Sequence, residues 1–133
     1  MNAETSMRIK LTSVMVDNQD KALKFYTEIL GFVKKTEIPL GEAKWLTVVS
    51  PQGTDDIELL LEQNSNPATK TYQEALFKQG IPLTAFAVDD IQKEYDRLTT
   101  LGVVFTMLPT IAGSVTIAVF EDTCGNLLQI YKV

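Results

Sequence analysis

The chain has 133 residues, enough for one compact domain that buries about two-thirds of its unfolded surface without disulfide or metal staples. Its 45% hydrophobic and 22% charged residues exclude a disordered or collagenous chain, and a net charge of −5 with scattered Lys and Arg excludes nucleic acid as a partner. There is no histidine, which removes Ser-His-Asp and Cys-His mechanisms and the commonest imidazole metal ligand together.

The opening Met1 to Met7 lacks an apolar signal core, and no apolar run approaches the roughly 20 residues that cross a bilayer, so no membrane partner is expected. Residues 8 to 16 alternate loosely and predict a strand; Asp17, Asn18 and Asp20 offer helix caps. Ala22, Leu23, Tyr26, Ile29 and Leu30 fall on one helical face that Gly31 ends. Strands are then expected over Phe32 to Glu37, over Ala43 to Ser50 after the Pro39-Leu40-Gly41 break, and over Ile57 to Glu62. Asn64 to Pro67 open a linker, with a short helix over Tyr72 to Phe77. After Pro82 the order repeats: strand Leu83 to Val88, cap Asp89-Asp90, helix face Ile91, Tyr95, Leu98 and Leu101, and stop Gly102. Strands Val103 to Leu108, Val115 to Phe120 and Leu127 to Val133 follow, the last two joined by a turn at Gly125-Asn126.

The repeat is an internal duplication. Leu11 through Asp17 recurs as Leu83 through Asp89 at a spacing of 72, whereas Leu30-Gly31 recurs as Leu101-Gly102 at a spacing of 71. One residue therefore differs within the helix. The expected class is α+β, a single domain of two tandem βαβββ modules, about 8–63 and 82–133, joined by a linker with a short helix. The lone Cys124 cannot form an internal disulfide, which suits a reducing, cytoplasmic setting.

Three segments, Val16 through Tyr26 with Leu30-Gly31-Phe32, then Ala85 through Ile91, and Asp122-Thr123-Cys124-Gly125-Asn126, resemble the vicinal oxygen chelate superfamily of glyoxalase I, bleomycin-resistance proteins and extradiol dioxygenases. The resemblance implies paired modules forming a curved mixed sheet around a cavity, commonly in a homodimer. In metal-dependent members His or Glu ligands sit at the start of each module's first strand and on its last strand. Carried onto this chain, those positions are Leu11, Glu58, Leu83 and Gln129. Leucine has no donor atom and an amide is a weak ligand, so neither metal nor other cofactor is expected.

Glu58 shares a strand face with Leu60 and Glu62 by alternation, and at a cavity wall it is the candidate general base or anchor for a ligand amine. Its plainer role is a carboxylate that reaches water or pairs with a Lys. Gln129 and Tyr131, with Leu127, share a face where an amide and a phenol can orient a polar ligand; Tyr131 serves equally as a core aromatic. Trp45 offers a stacking surface, Leu11 and Leu83 apolar walls, and Met15, Phe86 and Met107 either further wall or plain core. Cys124 has no activating His and is expected as an inert surface or half-buried thiol. Asp17, Asn18, Asp89 and Asp90 are accounted for as caps.

The first functional reading is a module that binds a small apolar or cationic molecule in a metal-free cavity. The alternative is a metal-independent isomerase or lyase with Glu58 as base and Gln129 or Tyr131 steadying an oxyanion. A metal-dependent lyase or dioxygenase, or a scaffold whose dimer interface is its purpose, ranks behind both.

Overall fold

The computed structural model describes residues 5–53 and 56–133. In chain order the elements are β1 (Leu11–Val16), α1 (Gln19–Lys24) continued by a π-helical turn (Phe25–Ile29), β2 (Val33–Leu40), β3 (Ala43–Val49), β4 (Glu58–Gln63) and α2 (Pro67–Gln79). The second half follows with β5 (Thr84–Ala87), α3 (Ile91–Thr100), β6 (Phe105–Ala112), β7 (Val115–Glu121) and β8 (Leu127–Lys132). These form two four-stranded sheets of order β1-β4-β3-β2 and β5-β8-β7-β6. Each is mixed, since β1 and β5 run parallel to β4 and β8 while the remaining pairs are antiparallel. The duplicated βαβββ order is thus present in full.

The helices begin where cap chemistry places them. Asn18 Oδ1 accepts the Lys21 N–H at 2.9 Å and Asp90 Oδ1 accepts the Lys93 N–H at 3.0 Å. Gly31 and Gly102 end the two module helices at φ of 94° and 88°, a region that side chains avoid. Three elements outrun the sequence expectation. β2 passes through Pro39 to Leu40 because it is a sheet edge, where a missing N–H costs no ladder bond; β6, the other such edge, likewise carries Pro109. α2 starts at Pro67 rather than near Tyr72, because Asn66 caps it and proline at the first helical position gives up only an N–H that has no partner there.

The π-helical turn explains the one-residue mismatch between the halves. Asp17 to Leu30 contains one residue more than Asp89 to Leu101, and the Leu30 N–H reaches back five residues to the Phe25 carbonyl at 3.0 Å. The wider turn absorbs the extra residue without moving the helix ends.

The inner faces of both sheets and both module helices share one apolar cluster, with Tyr26, Leu46, Leu61, Leu98, Phe120 and Leu128 almost fully buried. Through it runs a polar network. The buried Asp122 carboxylate accepts from the Tyr26 hydroxyl (2.7 Å), the backbone N–H groups of Cys124 and Asn126 (2.7 and 3.0 Å) and the Asn126 side chain (2.7 Å). Asn126 also donates to the Met15 carbonyl at 2.7 Å, which ties the turn before β8 to β1. Gln73 is the one buried residue of α2. Its amide nitrogen lies 2.9 to 3.1 Å from Asn126 Oδ1 and the carbonyls of Met15 and Cys124, and its oxygen accepts from Asn64 at 2.8 Å.

Truncating Gln73 strands several of these groups inside the protein. Gln73→Ala is expected to lower the unfolding free energy by about 2–4 kcal/mol, read from the urea midpoint. A loss below about 0.5 kcal/mol, typical of surface changes, would show that the network does not hold α2.

Candidate functional site

In the first sheet Leu59 and Leu61 enter the core, so alternation turns Glu58, Leu60 and Glu62 to the face without helices. Leu11 lies directly beside Glu58 in the β1–β4 ladder, and β3 adds Trp45 and Thr47 to the same face. Thr47 is fully buried, and its hydroxyl donates to Glu58 Oε1 at 2.7 Å. This residue carried no signal of its own in the sequence; its two-residue spacing from Trp45 is the only clue to it. Glu58 makes no ion pair among the described residues.

In the second sheet the ladder sets Gln129 opposite Ala85 and Tyr131 opposite Ala87. Leu83 precedes β5 and donates its N–H to the Leu127 carbonyl at 2.8 Å, continuing the same register. Glu58 therefore corresponds to Leu127, and Gln129 to Leu60. The sequence pairing of Glu58 with Gln129 is displaced by two residues, because a repeat spacing of 71 measured at the helix end does not persist through the differing loops before β4 and β8. Leu11, Glu58 and Trp45 thus share one sheet face, while Leu83, Gln129 and Tyr131 lie on the other sheet.

Between the modules sits a cavity of about 190 Å³. The first module contributes Thr12, Phe32, Val48, Ile57, Glu58 and Leu59, and the second contributes Thr84, Ala85 and Phe86. Glu58 is the one ionisable residue lining it, and Thr84 to Phe86 of β5 line its opposite side. Phe32 and Phe86 meet edge to face across the seam with ring centres 5.2 Å apart. Leu11, Trp45, Leu83, Gln129 and Tyr131 lie outside this wall, whereas Phe32, which sequence reasoning passed over, is central to it.

Cys124 is buried, in contrast to the expected surface or half-buried thiol, because the Asp122 turn folds it under the module seam. Burial, then the neighbouring Asp122 carboxylate, push its thiol up to about 12. Burial and Asp122 also hold the Tyr26 phenol well above its ordinary value. No helix among the described residues is long and apolar enough to cross a membrane.

The Glyoxalase/Bleomycin resistance protein/Dioxygenase superfamily description matches residues 8–130, nearly the whole fold just described. The chain belongs to this superfamily. It is 58% identical over 126 residues to YurT of Bacillus subtilis (strain 168), covering 95% of this chain and 99% of that protein. The crystal structure of UcmS2 superposes with a TM-score of 0.80 at 30% identity, covering 96% of this chain and 98% of that one. TnmS3 of Streptomyces sp. CB03234, described as an antibiotic binding protein, superposes with a TM-score of 0.76 at 27% identity, covering 97% and 98%. The metal site of metal-dependent superfamily members does not fit these residues: Leu11 and Leu83 offer no donor atom. Among the described residues no three His, Cys, Asp or Glu side chains gather to hold an ion.

The raised Cys124 and Tyr26 values set a direction for alkaline stability. Both groups are neutral in the fold and lose their protons more readily once unfolded, so their contribution is complete below about pH 9 and is lost as pH rises toward about 12. The thermal midpoint is expected to hold steady up to pH 9 and fall above it, with a shallower fall in Cys124→Ala. A midpoint unchanged up to pH 11 would contradict this.

Proposed function

We propose that the chain is a metal-free binding protein for a small apolar molecule carrying a cationic or N–H-donating group. The observation that carries this reading is Glu58, the one ionisable residue lining the cavity between the modules, whose carboxylate turns toward the helix-free sheet face and is held there by Thr47. An ionised carboxylate has about four acceptor sites, and Thr47 uses one of them. A ligand cation or N–H group would complete the set, and such charge-assisted bonds are stronger than neutral ones. The volume of about 190 Å³ suits a ring-sized group, since a dry cavity of roughly 150 Å³ takes benzene. The likeness to TnmS3, described as antibiotic binding, supports the same reading.

A homodimer belongs to this proposal. Leu11, Ile38 and Leu40 lie 43%, 52% and 63% exposed on the helix-free side of the first sheet, a patch that a second copy would cover. A cytoplasmic setting suits the single buried thiol.

Benzylammonium and neutral benzyl alcohol separate the carboxylate's role from plain apolar burial. Glu58→Gln keeps an acceptor for Thr47 but removes the charge, and is expected to weaken benzylammonium about tenfold by calorimetric titration while leaving benzyl alcohol unchanged. Equal affinity of wild type and variant for benzylammonium would defeat the proposal. Sedimentation should give about twice the 14.8 kDa chain mass, and Ile38→Lys should return the monomer.

A further inference from the structure

The two module helices dock through buried side chains of the apolar core, Phe25 and Tyr26 after α1 and Ile91 and Leu98 on α3. α2 is built differently. None of its residues joins the shared apolar cluster, Tyr72 and Phe77 are exposed, and its one buried side chain is the polar Gln73. A surface helix normally turns an apolar stripe to the core, whereas α2 is held by an amide. The helix is also complete without its dock. Asn66 Oδ1 accepts the Ala68 N–H at 2.8 Å, and the N–H groups of Gly80 and Ile81 reach the Phe77 and Leu76 carbonyls at 3.1 and 2.9 Å, so both ends are capped from within. Lifting α2 off the module junction breaks none of these bonds.

The bonds it does break centre on Gln73. Two amide protons face three acceptors, Asn126 Oδ1 and the carbonyls of Met15 and Cys124, at 2.9 to 3.1 Å, so they are shared, and the Asn64 amide donates to the Gln73 oxygen at 2.8 Å. Water serves all of these groups once α2 is away, and a hydrogen bond exchanged for water has a small net cost. The Tyr26–Asp122 and Asn126–Met15 bonds do not involve α2 and stay. Backbone anchors stand on either side of the helix: the Asn64 N–H on the Val16 carbonyl at 2.9 Å and the Leu83 N–H on the Leu127 carbonyl at 2.8 Å. We infer that α2 is a strap that undocks as a unit from the otherwise folded protein, hinged between Asn64 and Asn66 and between Gly80 and Leu83, with Gln73 as its pin. Met15 belongs to the first module and Cys124 and Asn126 to the second, so the pin engages fully only when the modules are in register. Strap closure and module docking therefore strengthen each other.

Native-state hydrogen exchange on the full chain tests this. In the wild type the α2 amides, corrected for intrinsic rates, are expected to exchange about a hundredfold or more faster than those of β3 and β8. Their rates should depend little on urea, because opening the strap exposes little surface. Gln73→Ala should speed α2 exchange about tenfold or more. Val48→Ala, which truncates a fully buried core side chain on β3, should speed β3 and β8 by about tenfold and leave α2 unchanged. Exchange in α2 as slow as in the strands, or accelerated by Val48→Ala as they are, overturns the inference, and indifference of α2 to Gln73→Ala overturns the assignment of the pin. Should a variant fail to fold, the wild-type urea dependence still decides: a slope in α2 as steep as in β8 means that α2 leaves only when the whole fold does.

Discussion

A carboxylate sealed from water without a cation beside it is costly unless its oxygens are fully hydrogen-bonded, and Asp122 meets that condition with four donors. The donors come from separate parts of the chain: a phenol on the first module's helix, two backbone N–H groups of the turn before β8, and the Asn126 amide. Asn126 then reaches Met15 on β1, and Gln73 fastens α2 to the same knot. Apolar packing is tolerant of sliding, whereas these bonds have direction and length. The position of one module on the other, and hence the seam where Phe32 meets Phe86, depends on them.

The cavity is a consequence of that docking. Its walls are side chains that each module alone would leave exposed, such as Thr12 and Leu59 from one half and Thr84 and Phe86 from the other. The same scaffold in metal-dependent relatives places ligands on first and last strands. Here leucine at those first-strand positions leaves Glu58 as a solitary acceptor, and Thr47 fixes one of its oxygens. On the function proposed above, the site recognises a hydrogen-bond donor in place of coordinating a metal.

Period-two strands, capping residues and the glycine stops made the duplicated fold legible, because each reports local backbone chemistry. Pro39 and Asn66-Pro67 misled for an instructive reason: proline breaks a central strand or helix interior, but an edge strand and a first helical turn both accept it, and which case applies depends on neighbours distant in sequence. Glu58 could be singled out as a candidate from the family resemblance, which places it on the last strand of the first module. Thr47, Phe32 and the buried state of Cys124 could not, since a hydroxyl in a strand, a phenylalanine after a glycine and a thiol in a turn acquire their roles only when the modules close on each other. The counterpart of Glu58 shifted to Leu127 because loop lengths differ between the halves, and only the hydrogen-bond ladder fixes register there.

The π-helical turn over Phe25–Ile29 holds the extra residue of the first helix and also carries Tyr26, the phenol that binds Asp122. In the second half, a regular helix stands where that turn would be, and the buried aspartate belongs only to the strand end it serves. The halves are therefore a lock and a key made from one ancestral pattern. Neither half alone carries both a phenol at the place of Tyr26 and a carboxylate at the place of Asp122, so this bond forms only between unlike halves. The molecule pairs unlike halves by construction.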